Sequence, residues 1–165
     1  MKRGADGLKL TTKGRYGLRA VIDLAVYAKE EPVSLAAVAE RQNISISYLE
    51  QLIAKLKKAG IVKSTRGAQG GYTLAKTPDK ISVGEILRAL EGTLNLVDCV
   101  AGKKDSECAS FDFCVTKYVW QRISDSINDT VDAISLAELL VENEKVKHLA
   151  SKQGISEKEV SGNCC

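Results

Sequence analysis

The chain alternates between stretches that keep a helical apolar repeat and stretches that break it. Over residues 15–29, Leu18, Val21, Ile22 and Ala25 recur at the spacing of one buried helix face. Glu30-Glu31-Pro32 ends that repeat, because proline disfavours helical geometry in the residue before it. Ser34 is placed to cap a second helix over residues 35–42, with Leu35, Val38 and Ala39 facing inward. After a turn at Asn43-Ile44, a third helix is expected over residues 46–59, with Leu49, Leu52, Ile53 and Leu56 as its core stripe. Its start is open by two residues: Ser45 can cap it, and Ser47 with Glu50 also fits the capping-box spacing. Gly60 suits its C-terminal cap.

The period then shortens. Residues 61–65 and 72–74 read as two strands around the glycine-rich turn Arg66-Gly67-Ala68-Gln69-Gly70-Gly71. A hairpin directly after a helix-turn-helix pair is the order of a winged helix-turn-helix. Beyond the connector Thr77-Pro78-Asp79-Lys80, Ser82 and Glu85 form a capping box for a helix that reaches Glu91 and closes at Gly92. Residues 93–113 show no period, and a stretch that long in a compact chain points to function or disorder. A long helix follows over residues 115–133, with Val119, Ile123, Ile127, Val131 and then Ile134 recurring every three or four positions and Val115 and Trp120 widening the stripe. It exceeds what the small winged unit can cover, so pairing with its counterpart in a second copy is expected rather than packing within its own domain. Ser135 and Glu138 form a further capping box, opening a last helix to about His148, and the polar residues beyond 150 are expected to form a mobile tail.

Composition adds a charge polarity. Residues 1–80 hold fifteen Lys and Arg against seven Asp and Glu, whereas residues 81–165 hold nine against fourteen. A basic front half suits a polyanionic partner or is a solvated surface; the acidic back half suits no polyanion. No stretch approaches the ~18 apolar residues that cross a bilayer, and residues 1–7 lack a secretory pattern, so a cytoplasmic location and no membrane partner are expected. There is no P-loop, nucleophile elbow or dinucleotide-binding glycine motif, and His148 is the single histidine. An enzyme is therefore not expected.

Base readout in the major groove requires polar side chains off the buried stripe of the third helix. Ser47, Tyr48, Glu50, Gln51 and Lys55 occupy those positions. Gln51 can bond adenine bidentately, and Glu50 can accept from the amino group of cytosine. A carboxylate against phosphates is costly without that donor, so Glu50 selects against sites lacking a suitable cytosine, unless it serves only as a capping partner of Ser47. Arg66 on a glycine-rich wing suits a narrow, A·T-rich minor groove. Lys13, Arg15, Lys55, Lys57 and Lys58 read as phosphate contacts that position without specifying.

Five cysteines in such a chain argue against a disulfide framework. Cys99 and Cys108 have eight residues between them, and Cys108 and Cys114 have five. Thiolates suit iron–sulfur clusters, zinc or copper(I). The short cysteine pairs of structural zinc sites are absent, and a loop of three redox-active thiols without metal is also open. Cys164 and Cys165 are left outside the site.

Leu10-Thr11-Thr12-Lys13-Gly14-Arg15-Tyr16, Ile46-Ser47-Tyr48-Leu49-Glu50-Gln51-Leu52, Arg66-Gly67 with Gly70-Gly71-Tyr72, and the three-cysteine loop together resemble the iron–sulfur cluster regulator (IscR) type within the Rrf-two group of winged-helix transcription factors. The resemblance covers residues 8–148. It implies a homodimer on double-stranded DNA whose cysteine loop (Cys99, Cys108, Cys114) holds an iron–sulfur cluster, the two-iron form ahead of the four-iron form. It further implies that cluster state changes the DNA sites bound, with the glutamate matching Glu50 in a gating role. The chain departs from that pattern in a longer first cysteine gap. It also has Lys117 where such regulators place a histidine, so the fourth ligand stays open among Asp105, Glu107, Asp112, Thr116, His148, a partner's carboxylate, water or a small thiol. The expected fold is mainly α: a winged helix-turn-helix domain with a β-hairpin wing (8–80), a cluster-binding loop with dimerisation helices (81–149) and a flexible tail (150–165). The alternative function is a cluster-free regulator of cysteine metabolism acting through a thiol or a partner enzyme.

Overall fold

The computed structural model describes residues 11–67, 69–100 and 111–153. Helix α1 spans Thr12–Tyr27, three residues earlier at its start than the apolar repeat indicates. Thr11 caps it in extended geometry, its hydroxyl accepting from the Lys13 amide at 3.1 Å. The shift comes from this cap, since Thr12, Lys13 and Gly14 carry no apolar stripe of their own. The helix also stops at Tyr27 rather than at residue 29. The chain must turn there, because Val33 pairs with Tyr72, with amide–carbonyl bonds of 2.8 and 3.1 Å.

Helix α2 (Leu35–Gln42) starts at Ser34, whose hydroxyl accepts from the Ala37 amide, and ends at Asn43 in the left-handed region (φ 51°) that asparagine tolerates. Helix α3 (Ile46–Lys58) resolves the open start. Ser45 is the cap, accepting from the Tyr48 amide at 3.3 Å, and Ser47 is already helical. Its end is a Schellman motif: Gly60 (φ 71°) donates to the Lys57 carbonyl and Ile61 to the Leu56 carbonyl, both at 3.0 Å. Strands β1 (Val62–Thr65) and β2 (Gly71–Leu74) pair antiparallel, Val62 opposite Leu74 and Thr65 opposite Gly71. With Val33 bridged to Tyr72, the wing gains a third extended position that the sequence pattern did not show.

After a short 3-10 turn (Pro78–Lys80), helix α4 (Val83–Glu91) opens with both bonds of the Ser82–Glu85 capping box. Two 3-10 turns, Asp98–Val100 and Phe111–Phe113, flank residues outside the description. Helix α5 spans Val115–Ala133 and α6 spans Leu136–Lys152, the latter a turn beyond His148 and into the stretch expected to be tail. The extended residues between them clip onto the start of α4: Val83 donates to the Ile134 carbonyl at 2.9 Å and Leu136 to the Ile81 carbonyl at 2.8 Å.

A main core joins these elements, beside a smaller cluster of Val83, Leu87 and Leu94 against which Val131, Ile134 and Leu139 pack. Ala20, Val21 and Leu24 of α1, Val38 of α2, and Leu49, Leu52, Ile53 and Leu56 of α3 are buried with Ile61, Ile86, Leu90 and Leu136. Burying a side chain of this size is worth about 1.5–3 kcal/mol, so the α3 stripe alone anchors its helix firmly. Within the core boundary, Asp23 is 3% exposed and accepts from Arg41 at 2.6 and 2.9 Å and from Gln42 at 2.9 Å. This bidentate pair locks α2 to α1, and Asp23 holds the Arg41 guanidinium pKa above its ordinary value. Helix α5 behaves differently. Ser124 is its one buried residue among those described.

Candidate nucleic-acid interface and cysteine loop

Because α3 commits Leu49, Leu52, Ile53 and Leu56 inward, its opposite face is fixed. Ser47, Glu50 and Gln51 are exposed on that face. With Ser45 as the cap, Glu50 is not drawn into a capping box and its carboxylate stays at the surface. Tyr48 is half-buried. Its ring meets Tyr16 of α1 edge-on at 6.1 Å between centroids, and Arg19 lies over the Tyr16 ring. Burial, then the negative charge of Glu91, then Tyr16 push the Tyr48 phenol pKa upward. Tyr48 thus has a packing role as well as an edge near the outer face.

The lysines divide. Lys55, off the apolar stripe and so expected at phosphates, donates its ammonium to the Leu90 carbonyl at 2.9 Å, tying α3 to the last turn of α4. Lys57 donates to the Ser64 hydroxyl at 2.7 Å, bracing α3 against β1. Lys13 is exposed in the first turn of α1, and Arg66 is exposed where the hairpin turn begins, next to Gly67 at φ 124°. The neighbouring glycines serve the hairpin itself: a Cβ on Gly71 would lie 2.6 Å from the Val33 carbonyl oxygen. Lys13, Ser47, Glu50, Gln51 and Arg66 therefore combine exposure with donors or acceptors suited to a duplex, while Tyr48 and Lys55 are also engaged internally.

Cys99 and Cys114 are both half-buried and both adjoin α5. Cys99 sits in the Asp98–Val100 turn, which packs on α5; nearby, the Leu96 amide donates to the buried Ser124 hydroxyl at 3.3 Å and Asn95 donates to the Val100 carbonyl at 3.4 Å. Cys114 is the N-cap residue of α5, with its sulfur 3.1 Å from the Thr116 hydroxyl. That hydroxyl, then the Lys117 amide, lower the Cys114 thiol pKa from its ordinary value, with the Lys117 charge adding a smaller pull. Cys108, Asp105 and Glu107 lie outside the described residues, as do Cys164 and Cys165. Among the described residues no three cysteine, histidine or carboxylate side chains converge. His148 is exposed on α6.

Sequence reasoning missed Glu91. At the end of α4 it accepts from the Thr11 hydroxyl at 2.5 Å, the Thr11 amide at 3.2 Å and the Gly14 amide at 2.8 Å. The partners lie about eighty positions away, so no local spacing announces the contact.

A recognition helix fixed over a small core, with a hairpin wing at its side and polar residues outward, defines a winged-helix DNA-binding protein. The chain belongs to the Rrf2 family, whose model, described as an iron-dependent transcriptional regulator, matches residues 10–142. It is 45% identical over 148 residues to the HTH-type transcriptional regulator IscR of Aliivibrio salmonicida, covering 90% of this chain and 86% of that protein. Among solved structures, T. potens IscR is 50% identical with a TM-score of 0.68, covering 87% of this chain and 93% of that one. CymR, the global cysteine regulator of B. subtilis, is 42% identical with a TM-score of 0.67, covering 82% and 98%. The expectation of a mainly α, winged helix-turn-helix regulator of the IscR type is borne out, and the protein is a DNA-binding transcriptional regulator rather than an enzyme. No helix among the described residues is long and apolar enough to cross a membrane.

Proposed function

We propose that this protein is a homodimeric, cytoplasmic regulator that senses an iron–sulfur cluster and changes its choice of DNA sites accordingly. The observation that carries the reading is the double duty of α5. The helix that begins at Cys114 and carries the Cys99 turn also leaves Val115, Tyr118, Val119 and Ile123 exposed along its length. An apolar groove follows the same helix between Ile123, Ile127 and Val131, rimmed by Arg122, Ser126 and Thr130. A second copy of α5 covers such a face in a two-fold pair and sets the spacing of two winged units on a duplex.

The donor set fits the cluster. Cys99 and Cys114 present soft thiolates from a turn and a helix cap on one support, with Cys108 between them in sequence. The two-iron form is the proposed one, with the fourth ligand drawn from outside the cysteine trio. When bound, such a cluster supplies iron–thiolate bonds whose making and breaking follow iron, sulfide and oxidant supply. Cys99 and Cys114 then tie the two ends of the loop to α5. On the DNA side, Gln51 and Ser47 donate to or accept from base edges, and Glu50 excludes duplexes without a facing donor. Arg66 enters the minor groove, and Lys13 and Lys55 add positive charge near the phosphates. By analogy with its relatives, the targets are genes of cluster assembly or of iron and sulfur metabolism.

Anaerobic reconstitution with iron and sulfide tests the sensing half. Wild-type protein is expected to gain visible charge-transfer absorbance, and the triple variant Cys99→Ala, Cys108→Ala, Cys114→Ala to lose it. A colourless wild type, or a coloured triple variant, removes the cluster. The likeness to CymR supports a second reading, a cluster-free regulator of cysteine metabolism. Protein that stays iron-free yet shifts its DNA affinity with a small thiol or a partner enzyme favours that reading.

A further inference from the structure

The last turn of α4 stands between the cysteine loop and the DNA-reading helices. Gly92 follows it directly, and the loop that carries Cys99 begins there. Its Leu90 carbonyl accepts from Lys55 of α3 at 2.9 Å. Its Glu91 carboxylate takes three donors from the first turn of α1, capping that helix from outside its own sequence. The approach is tight: a Cβ on Gly14 would lie 2.8 Å from the Glu91 oxygen, and one on Gly17 would collide with the Leu90 side chain. Glu91 is also close enough to the recognition-helix Tyr48 for its charge to perturb the phenol. On its other side α4 is fastened to α5. Arg88 donates to Asn128 at 3.1 Å and pairs with Asp132, and Asn128 in turn donates to the carbonyl of Ser124, the residue that holds the loop at Leu96.

We propose that Glu91 is a positioning residue that couples the cysteine loop to operator choice, by holding the first turn of α1 while the adjacent Leu90 carbonyl holds Lys55 of α3. The proposal rests on the cluster-sensing reading above. Its physical basis is that α4 touches both sides and that its last turn has few ways to move without dragging Lys13 and the α3 face with it. A neutral glutamine keeps the length and the accepting oxygen, whereas alanine removes the link.

The test uses full-length protein, reconstituted or cluster-free, on the duplex that wild-type loaded protein selects, with affinity read by fluorescence anisotropy. Wild type is expected to show a loaded-to-free affinity ratio different from one by about 5–150-fold, the usual span of allosteric coupling. Glu91→Ala is expected to keep the visible absorbance and a cooperative thermal transition while that ratio falls to within about twofold of one. Glu91→Gln is expected to restore most of it. A purely structural Glu91 would lower both affinities together and leave the ratio unchanged, and that result overturns the proposal. A wild-type ratio of one removes the cluster-sensing reading and the inference with it. Should Glu91→Ala fail to fold, amide hydrogen exchange on wild type decides: the Gly14 amide is expected to change its protection on loading, and an unchanged Gly14 amide overturns the proposal.

Discussion

Helices α3 and α5 carry comparable apolar stripes, yet they meet opposite fates. In α3, Leu49, Leu52, Ile53 and Leu56 are each at most 2% exposed, and the polar face is left outward. In α5, Val119 and Ile123 remain 47% and 40% exposed, and the buried residue is a serine. The same periodicity therefore encodes two kinds of helix: one buried along its whole stripe, and one on which Val131 packs against Val83, Leu87 and Leu94 while Val119 and Ile123 stay exposed among the described residues. The first gives a rigid reading head. In the proposed dimer, the second would give the surface on which a second copy and the cysteine loop meet.

The contrast can be broken most strongly at the core. Leu52→Ala is expected to lower unfolding free energy by about 2–5 kcal/mol in chemical denaturation, whereas Ile123→Ala leaves it within about 1 kcal/mol when measured on the monomer. Removing Arg41 by Arg41→Met strands the buried Asp23 carboxylate and is expected to cost about 3 kcal/mol by the same assay, with Asp23→Ala costing less because the Arg41 left behind is partly exposed and can be solvated. A charge on the bare face acts in the other direction: Ile123→Asp is expected to leave the thermal transition of the monomer intact while shifting sedimentation from dimer to monomer, on the order of tenfold or more in dissociation constant. A stable dimer of Ile123→Asp places the seam elsewhere. The smallest effect is at the caps. Ser82→Ala removes one bond of a reciprocal capping box and is expected to cost about 1 kcal/mol, slightly more than Ser135→Ala, for which only the single bond to the Glu138 amide is present.

Which features were legible in the chain follows the same division. Ser34, Ser82, Ser135 and Gly60 announce helix ends because the groups they satisfy lie within a few residues. The α2 and α5 boundaries and the α3 stripe follow from that local chemistry. Contacts across the chain left no such trace. Val33 pairs with Tyr72, Ile81 with Leu136, and Glu91 with Thr11 and Gly14, and each pairing moved an element boundary or gave a residue a role that spacing could not show. Lys55 is the clearest case: periodicity placed it off the core, but only the packing of α4 shows that its ammonium meets a carbonyl. In the candidate site, exposure of Glu50 and Gln51 was readable from the α3 period, while the bonds from Leu96 to Ser124 and from Arg88 to Asn128 were not.

The most direct test of the central claim is selection from a pool of randomised duplexes with two preparations of wild-type protein, one anaerobically reconstituted and one stripped of iron. The two preparations are expected to enrich different motifs, with the difference lost in Glu50→Ala. Enrichment of one and the same motif with equal strength by both preparations would contradict that claim.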